Sequence, residues 1–188
     1  KSEDLENLMV LLNKEITHTN RVMIIGGSKI GRTLAKQLPD DSLNVRLVEK
    51  NRPKAGKISH IIDQSMILYG DGTDIEFLKS ENIQDIDSFI SVTESEKTNL
   101  IAGLLANHLG ARQSIIHVST TEYIPAIHEI KAGAVFSKNL STVNAILKEL
   151  HSDVTEKPVL SFDEIEVDVI EFQPEPDSPV TLRPLKEV

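Results

Sequence analysis

The chain has 188 residues, 39% of them hydrophobic and none a cysteine, with a mean hydropathy of −0.15 and a formal charge of −9. That length can bury a sizeable core and reads as one globular domain with a remainder, and the missing thiols exclude disulfides, thiolate metal sites and a cysteine nucleophile. The acidic balance excludes a nucleic-acid or anionic-lipid surface, which needs clustered Lys and Arg, and no apolar run approaches the roughly 20 residues that span a bilayer.

Residues 1–20 carry too many acidic and polar groups to read as a signal peptide. Leu5, Leu8, Met9, Leu12 and Ile16 recur at helical spacing, which predicts a helix over 3–16 followed by a polar linker over 17–20. From Arg21 onward, strands are predicted near 21–25, 45–49, 66–69, 88–92, 114–118 and 134–136. Helices are predicted between and after them, near 30–38, 53–63, 74–81, 96–109, 122–131 and 139–150. Two helix starts read as capping boxes, Thr73 with Glu76 and Thr93 with Glu96. This alternation predicts an α/β fold, a Rossmann-like doubly wound parallel sheet covered on both faces, over 21–150.

After Leu150 the pattern breaks. "HSDVTEKP" reads as a linker, "EIEVDVIEF" at 164–172 alternates like a half-exposed strand, and "QPEPDSPVTLRPL" is punctuated by proline. Nine acidic residues against Lys157 alone lie between Asp153 and Asp177, so nearly all the net charge sits in this tail. One clear strand makes no core of its own. Residues 151–188 are therefore either a docking segment or the truncated start of a second, small α+β domain.

"RVMIIGGSKIG", residues 21–31, sets four apolar residues ahead of three glycines. In a dinucleotide-binding βαβ unit the first glycine permits the turn off the strand, the middle one lets amides approach the pyrophosphate, and the last lets helix and sheet pack closely. Gly26 and Gly31 take the first and last places, Ser28 stands in the middle one, and Gly27 adds freedom beside it. The Ser28 hydroxyl is expected to donate to a phosphate oxygen, the helix opening at Ile30 to aim its amides at the anion, and Lys29 and Arg32 to add positive charge.

Glu49 ends the second strand about 20 residues beyond the turn, where a carboxylate accepts from ribose hydroxyls. Its charge repels a 2′-phosphate, which favours NAD(H), or an adenine nucleotide such as ATP or ADP, over NADP. "YGDGTD" at 69–74 puts Asp71, Gly72 and Thr73 at the ligand-binding edge of the sheet, and "TESEKTN" at 93–99 brings Thr93, Glu94 and Asn99 there. Glycine turns, helix caps and an exposed Glu49 in a protein that binds nothing are the competing account of these residues.

Catalytic sets are missing. A short-chain dehydrogenase needs Tyr and Lys four residues apart, but Ile127 follows Tyr123 and Thr73 follows Tyr69 at that distance. The six histidines show no paired metal spacing, His117 reads as a structural or ligand-edge residue, and "GGSKIG" lacks the spacing and Lys-Ser/Thr ending of a P-loop. The nucleotide reads as an effector rather than a reactant.

Four segments in order, "VMIIGGSKIGRTLAKQL", "VRLVEKN", "ILYGDGTDIEFLKSENIQDIDSFISVTESEKTNLIAGLLANHLGA" and "GAVFSKNLSTVNAIL", resemble the regulator-of-K+-conductance family (RCK, or KTN), and within it the TrkA subunits of Trk potassium-uptake systems. The likeness covers 21–150. The tail is similar to the opening of the family's smaller C-terminal domain, and the helix at 3–16 to the last element of a preceding copy. By motif position, the resemblance implies that Gly26, Ser28 and Gly31 line the pyrophosphate, Glu49 the ribose, Asp71 and Thr73 the adenosine region, and Thr93 the far rim. Gly27, Lys29, Ile30, Lys50, Gly72, Glu94, Asn99 and His117 complete the expected cofactor-binding set. Two residues depart from the family pattern: Ser28 replaces the middle glycine, and His117 stands where an Arg is often found.

The resemblance further implies a cytoplasmic protein, peripheral on the inner face of the cell membrane, that self-associates as a dimer or tetrameric ring. Its partner would be a membrane-embedded K+ transporter subunit (TrkH/TrkG-like), with no nucleic acid and no membrane insertion of its own. Three readings stand at this point: a nucleotide-sensing regulatory subunit, a NAD-dependent oxidoreductase domain whose catalytic half lies elsewhere, and an assembly domain without ligand.

Overall fold

The computed structural model describes residues 19–39, 43–130, 132–150, 156–162 and 167–172. The helix expected over 3–16 lies outside them. The chain divides into two compact units between Ser137 and Lys138.

The first unit runs β1 (Arg21–Ile25), α1 (Lys29–Gln37), β2 (Asn44–Glu49), α2 (Arg52–Ser59), β3 (Met66–Tyr69), α3 (Ile75–Ser80), β4 (Ser88–Ser91), α4 (Glu96–His108), β5 (Ser114–Val118), α5 (Ile124–Glu129) and β6 (Ala134–Ser137). All six strands pair in parallel, in the order β3-β2-β1-β4-β5-β6. That is the doubly wound order, and it reverses direction between β2 and β4, with β1 at the reversal.

The apolar run of β1 is continuous because both faces of a parallel sheet are covered. Val22 and Ile24 pack to one side with Ala35 of α1 and Ile58 of α2. Met23 and Ile25 pack to the other with Leu78 of α3 and Ala102 and Ala106 of α4. A third cluster, Ile116, Val118 and Ile127, seats α5 against β5.

Two helices depart from their patterns by more than one residue at an end. The helix expected to start at 53 begins at Arg52 behind Asn51, whose side chain accepts from the Lys54 amide, and ends at Ser59 rather than 63. The span expected as one helix over 122–131 is a 3₁₀ turn, Thr121–Tyr123, followed by α5. Pro125 has no amide to carry a regular helix back into that turn, and it suits the start of a new one.

The second unit holds α6 (Lys138–Leu150), β7 (Glu156–Phe162) and β8 (Val167–Phe172), the strands forming an antiparallel pair. β8 falls within the alternating stretch read from the sequence, whereas β7 begins in a segment read as linker. Pro158 hid it: proline signals a break, but here it sits where the ladder shifts register, between Pro158 and Leu160.

Candidate functional site

The carboxyl ends of the strands around β1 border a cleft of about 250 Å³. It lies at the reversal of strand order, where open α/β sheets bind ligands. Of the residues singled out from the sequence, Gly26, Gly27, Ser28, Glu49, Lys50, Asp71, Gly72, Thr93 and Glu94 line it. Lys29, Ile30, Gly31, Thr73, Asn99 and His117 do not line it.

The glycines let the backbone of the turn pack closely. Gly26 sits at φ +107°, and a Cβ there would meet the Thr93 Cα at 2.8 Å. A Cβ on Gly31 would lie 2.0 Å from the Gly26 carbonyl oxygen, which is the close helix-to-turn packing expected of the last glycine. Lys29 is exposed at the first position of α1, and Ile30 packs beneath the helix.

Ser28 is the N-cap of α1: its Oγ accepts from the Gly31 amide at 3.3 Å and donates to the Val92 carbonyl at 2.6 Å. The hydroxyl has one proton, and it goes to the strand neighbouring the turn, not to the cleft. The expected donation to a phosphate oxygen would require this hydroxyl to turn away from Val92. Serine in place of the middle glycine ties the β1 turn to the end of β4.

Glu49 is buried, at 7% exposure, and its carboxylate has three partners inside the protein. Oε1 accepts from the Asn51 amide at 2.8 Å; Oε2 accepts from the Gly27 amide at 3.0 Å and pairs with Lys54 Nζ at 3.0 Å. Burial pushes its pKa up, but the Asn51 amide, the Lys54 ammonium and the Gly27 amide outweigh it and hold the group below its ordinary value. Gly27 is needed for this contact, because a Cβ there would stand 2.7 Å from Glu49 Oε2.

Asp71 is likewise partnered, by the Thr73 amide at 3.0 Å, the Thr73 hydroxyl at 2.8 Å and Lys50 Nζ at 2.6 Å across the cleft mouth. Burial raises its pKa and these three partners lower it further than burial raises it. On the opposite rim, Asn99 is completely buried in α4. Its Oδ1 accepts from the Thr93 amide at 2.7 Å and the Thr93 hydroxyl at 2.6 Å, and its Nδ2 donates to the His117 carbonyl at 3.0 Å. Asn99 is thus a brace that shapes the Thr93 loop and joins it to β5. His117 is half-buried with its ring 5.8 Å from that of Phe136.

Neither capping box forms. Asp74 caps α3 by accepting from Glu76 and Phe77 amides, and Ser95 caps α4 by accepting from Thr98. Thr73 is drawn to Asp71 and Thr93 to Asn99. The Glu96 carboxylate reaches instead to the Thr120 amide at 3.1 Å and the Thr120 hydroxyl at 3.2 Å. Lys54, Ser95 and Thr98 line the cleft and were not singled out from the sequence. For Lys54 a signal existed: Asn51 and Pro53 mark a helix start, and the third residue of that helix faces back toward its cap.

Among the described residues, no group of three or more His, Asp or Glu is placed to hold a metal ion, and no helix is long and apolar enough to cross a membrane. The model of the TrkA-N domain family matches residues 22–138. The chain belongs to this family. A relative of this TrkA-N chain, "Trk system potassium uptake protein trkA homolog 1" of Methanosarcina mazei, is 32% identical over 149 residues, covering 79% of the chain and 37% of that protein. The chain thus spans little more than a third of that relative's length. Two solved structures share the fold. "GsuK channel bound to NAD" has TM-score 0.58 and 20% identity, over 71% of this chain and 24% of that one. "Crystal structure of the GsuK bound to ADP" has TM-score 0.53 and 21% identity, over 64% and 31%.

Proposed function

We propose that this TrkA-N chain is the nucleotide-sensing part of a regulatory subunit in a Trk-type potassium transport system. The observation that carries the reading is the glycine-lined cleft at the sheet's reversal, with Glu49 fixed in its wall. The ligand is NAD(H) or an adenine nucleotide such as ADP or ATP. Support comes from relatives named for Trk potassium uptake and from neighbours of the same fold whose structures hold NAD and ADP. Gly26, Gly27 and Ser28 at the N-terminus of α1 would face the pyrophosphate, Glu49 and Lys50 the ribose, and Asp71 and Gly72 the adenosine side. Thr93 and Glu94 would form the far rim.

In this reading residues 21–150 are the nucleotide-binding domain and 151–188 begin the C-terminal domain of the family. The subunit is cytoplasmic and not an enzyme, works as a dimer or ring, and docks beneath a membrane-embedded K+ transporter subunit. A nucleotide that binds one ring geometry better than another shifts the ring toward it, by no more than the difference in affinity. The internal partners of Glu49 favour the competing reading, an assembly domain without ligand, because they satisfy the carboxylate with no nucleotide present.

Thermal unfolding with NADH, NAD, ATP and ADP separates the two. Ligand at a hundred times its dissociation constant stabilises by about 2.7 kcal/mol, and the gain should shrink in Glu49→Ala. Stabilisation by none of the four favours the assembly domain.

A further inference from the structure

Both acids assigned to the ligand are covered by lysines that follow β2, Asp71 by Lys50 just past the strand and Glu49 by Lys54 in the first turn of α2. An ionised carboxylate offers about four lone-pair positions. The Asn51 amide, the Gly27 amide and Lys54 occupy three on Glu49, so a vicinal ribose diol finds room for one hydroxyl only. The two amides belong to backbone fixed by the β1 turn and the α2 cap. Lys54 is the donor able to withdraw: its side chain is 37% exposed on a flexible stem, against 9% for Glu49.

The same ammonium cancels the charge that, left alone, would turn away a 2′-phosphate. The sequence argument for NAD over NADP treated Glu49 as an unopposed anion, and beside Lys54 it is not one. A cation near this position is what accommodates a 2′-phosphate in dinucleotide-binding folds.

We propose that Lys54 sets which ribose the cleft accepts. Paired with Glu49 it competes with the ribose hydroxyls, and swung off Glu49 it pairs with a 2′-phosphate, so the wild-type cleft discriminates weakly between dinucleotides with and without that group. This rests on the nucleotide reading above.

Calorimetric titration of the 188-residue chain with NADH and NADPH tests it, on wild type, Lys54→Met and Lys54→Arg. Methionine keeps much of the stem and removes the charge. Loss of one charge-assisted contact is expected to change affinity about tenfold, so Lys54→Met binds NADH about tenfold tighter and NADPH about tenfold weaker than wild type does. Wild type and Lys54→Arg should hold the two nucleotides within about tenfold of each other. Melting midpoints are measured alongside, with Lys54→Gln carrying the comparison should Lys54→Met melt early. An unchanged NADH-to-NADPH ratio in a folded variant overturns the role of Lys54 and leaves the nucleotide reading standing. No binding of either dinucleotide to any variant, with no stabilisation by ADP or ATP, removes both.

Discussion

Glu49 and Asp87 hold matching sets of partners at opposite edges of one sheet. Each carboxylate takes two backbone amides and one cation: Gly27, Asn51 and Lys54 for Glu49; Asn20, Arg21 and Arg112 for Asp87. Asp87 stands just ahead of β4 and splints it to the start of β1. Glu49 ends β2 and splints it to the turn leaving β1. The bonding does not distinguish a strut from a ligand-binding group; the surroundings do. Around Glu49, Gly26, Gly27 and Gly72 line a cleft and each packs too closely on a neighbour to carry a Cβ, which on Gly72 would lie 2.2 Å from Ile25. The neighbours that partner Asp87 are Asn20, Arg21 and Arg112, all with side chains of their own.

The largest effect tests the glycines. Gly31→Ala forces a methyl group to 2.0 Å from the Gly26 carbonyl, backbone against backbone, and should destabilise the chain by about 3 kcal/mol or more in urea unfolding. Gly56, within α2, has nothing within 4 Å of its would-be Cβ, and Gly56→Ala should stabilise by about 1 kcal/mol in the same assay. Equal behaviour of the two would remove the packing account of the turn.

Next comes the direct contrast of the two acids. Glu49→Ala leaves the Gly27 and Asn51 amides without their acceptor in a buried place and should cost about 2 kcal/mol, whereas at the more exposed Asp87 water replaces the lost acceptor and the cost is about 1 kcal/mol. Titration with NADH should then show Asp87→Ala within about twofold of wild type and Glu49→Ala at least about tenfold weaker. Similar losses in both variants would make Glu49 one more splint.

The fold was legible because its signals are local and repeated. A continuous apolar run marks β1, short β-rich runs mark β2 and β4, helical spacing falls between them, and Gly26 with Gly31 marks the turn. The set of cleft residues was half legible for the same reason, since strand ends fix which loops meet. Partners were not legible, because they are decided across the fold. Glu96 could serve a cap three residues back or Thr120 at a distance, and packing of α4 against β5 chose Thr120. "DGTD" and "TESE" each offer two capping residues close together, and the hydroxyls of Thr73 and Thr93 were taken by Asp71 and Asn99, leaving Asp74 and Ser95 to cap.

Ser28→Ala is a milder perturbation of the same turn. It removes a helix cap and the bond to Val92, and should cost about 1 kcal/mol of stability. NADH affinity should stay within about twofold, since the hydroxyl proton points to Val92 and not into the cleft. A tenfold loss of affinity at unchanged stability would restore the expectation that this hydroxyl serves a phosphate.

Titrating the acids in place perturbs the comparison least. Glu49, Asp71 and Asp87 all have pKa values held below their ordinary ones, which are 4.5 for the glutamate and 3.8 for the aspartates. A carboxylate depressed in the folded state binds fewer protons there than in the unfolded chain. Its stabilisation is therefore complete above the ordinary value and is lost as pH falls through the folded one. Unfolding free energy from urea titrations should accordingly be insensitive to these groups between pH 7 and 5 and begin to fall below about pH 4.5. The two edges differ in cause. At Asp87 the Asn20 and Arg21 amides dominate, whereas at Glu49 burial opposes the depression and the two amides and Lys54 must overcome it. Lys54→Met should for that reason raise the Glu49 pKa toward its ordinary value, so that its share of the decline becomes smaller and ends at higher pH, while Arg112→Met, acting through a minor cause at Asp87, should change that acid's share less. Carboxyl NMR titration of Glu49 and Asp87 in both variants measures the difference, and equal shifts would dissolve the distinction between a cleft acid balanced by its lysine and a strut held by its amides.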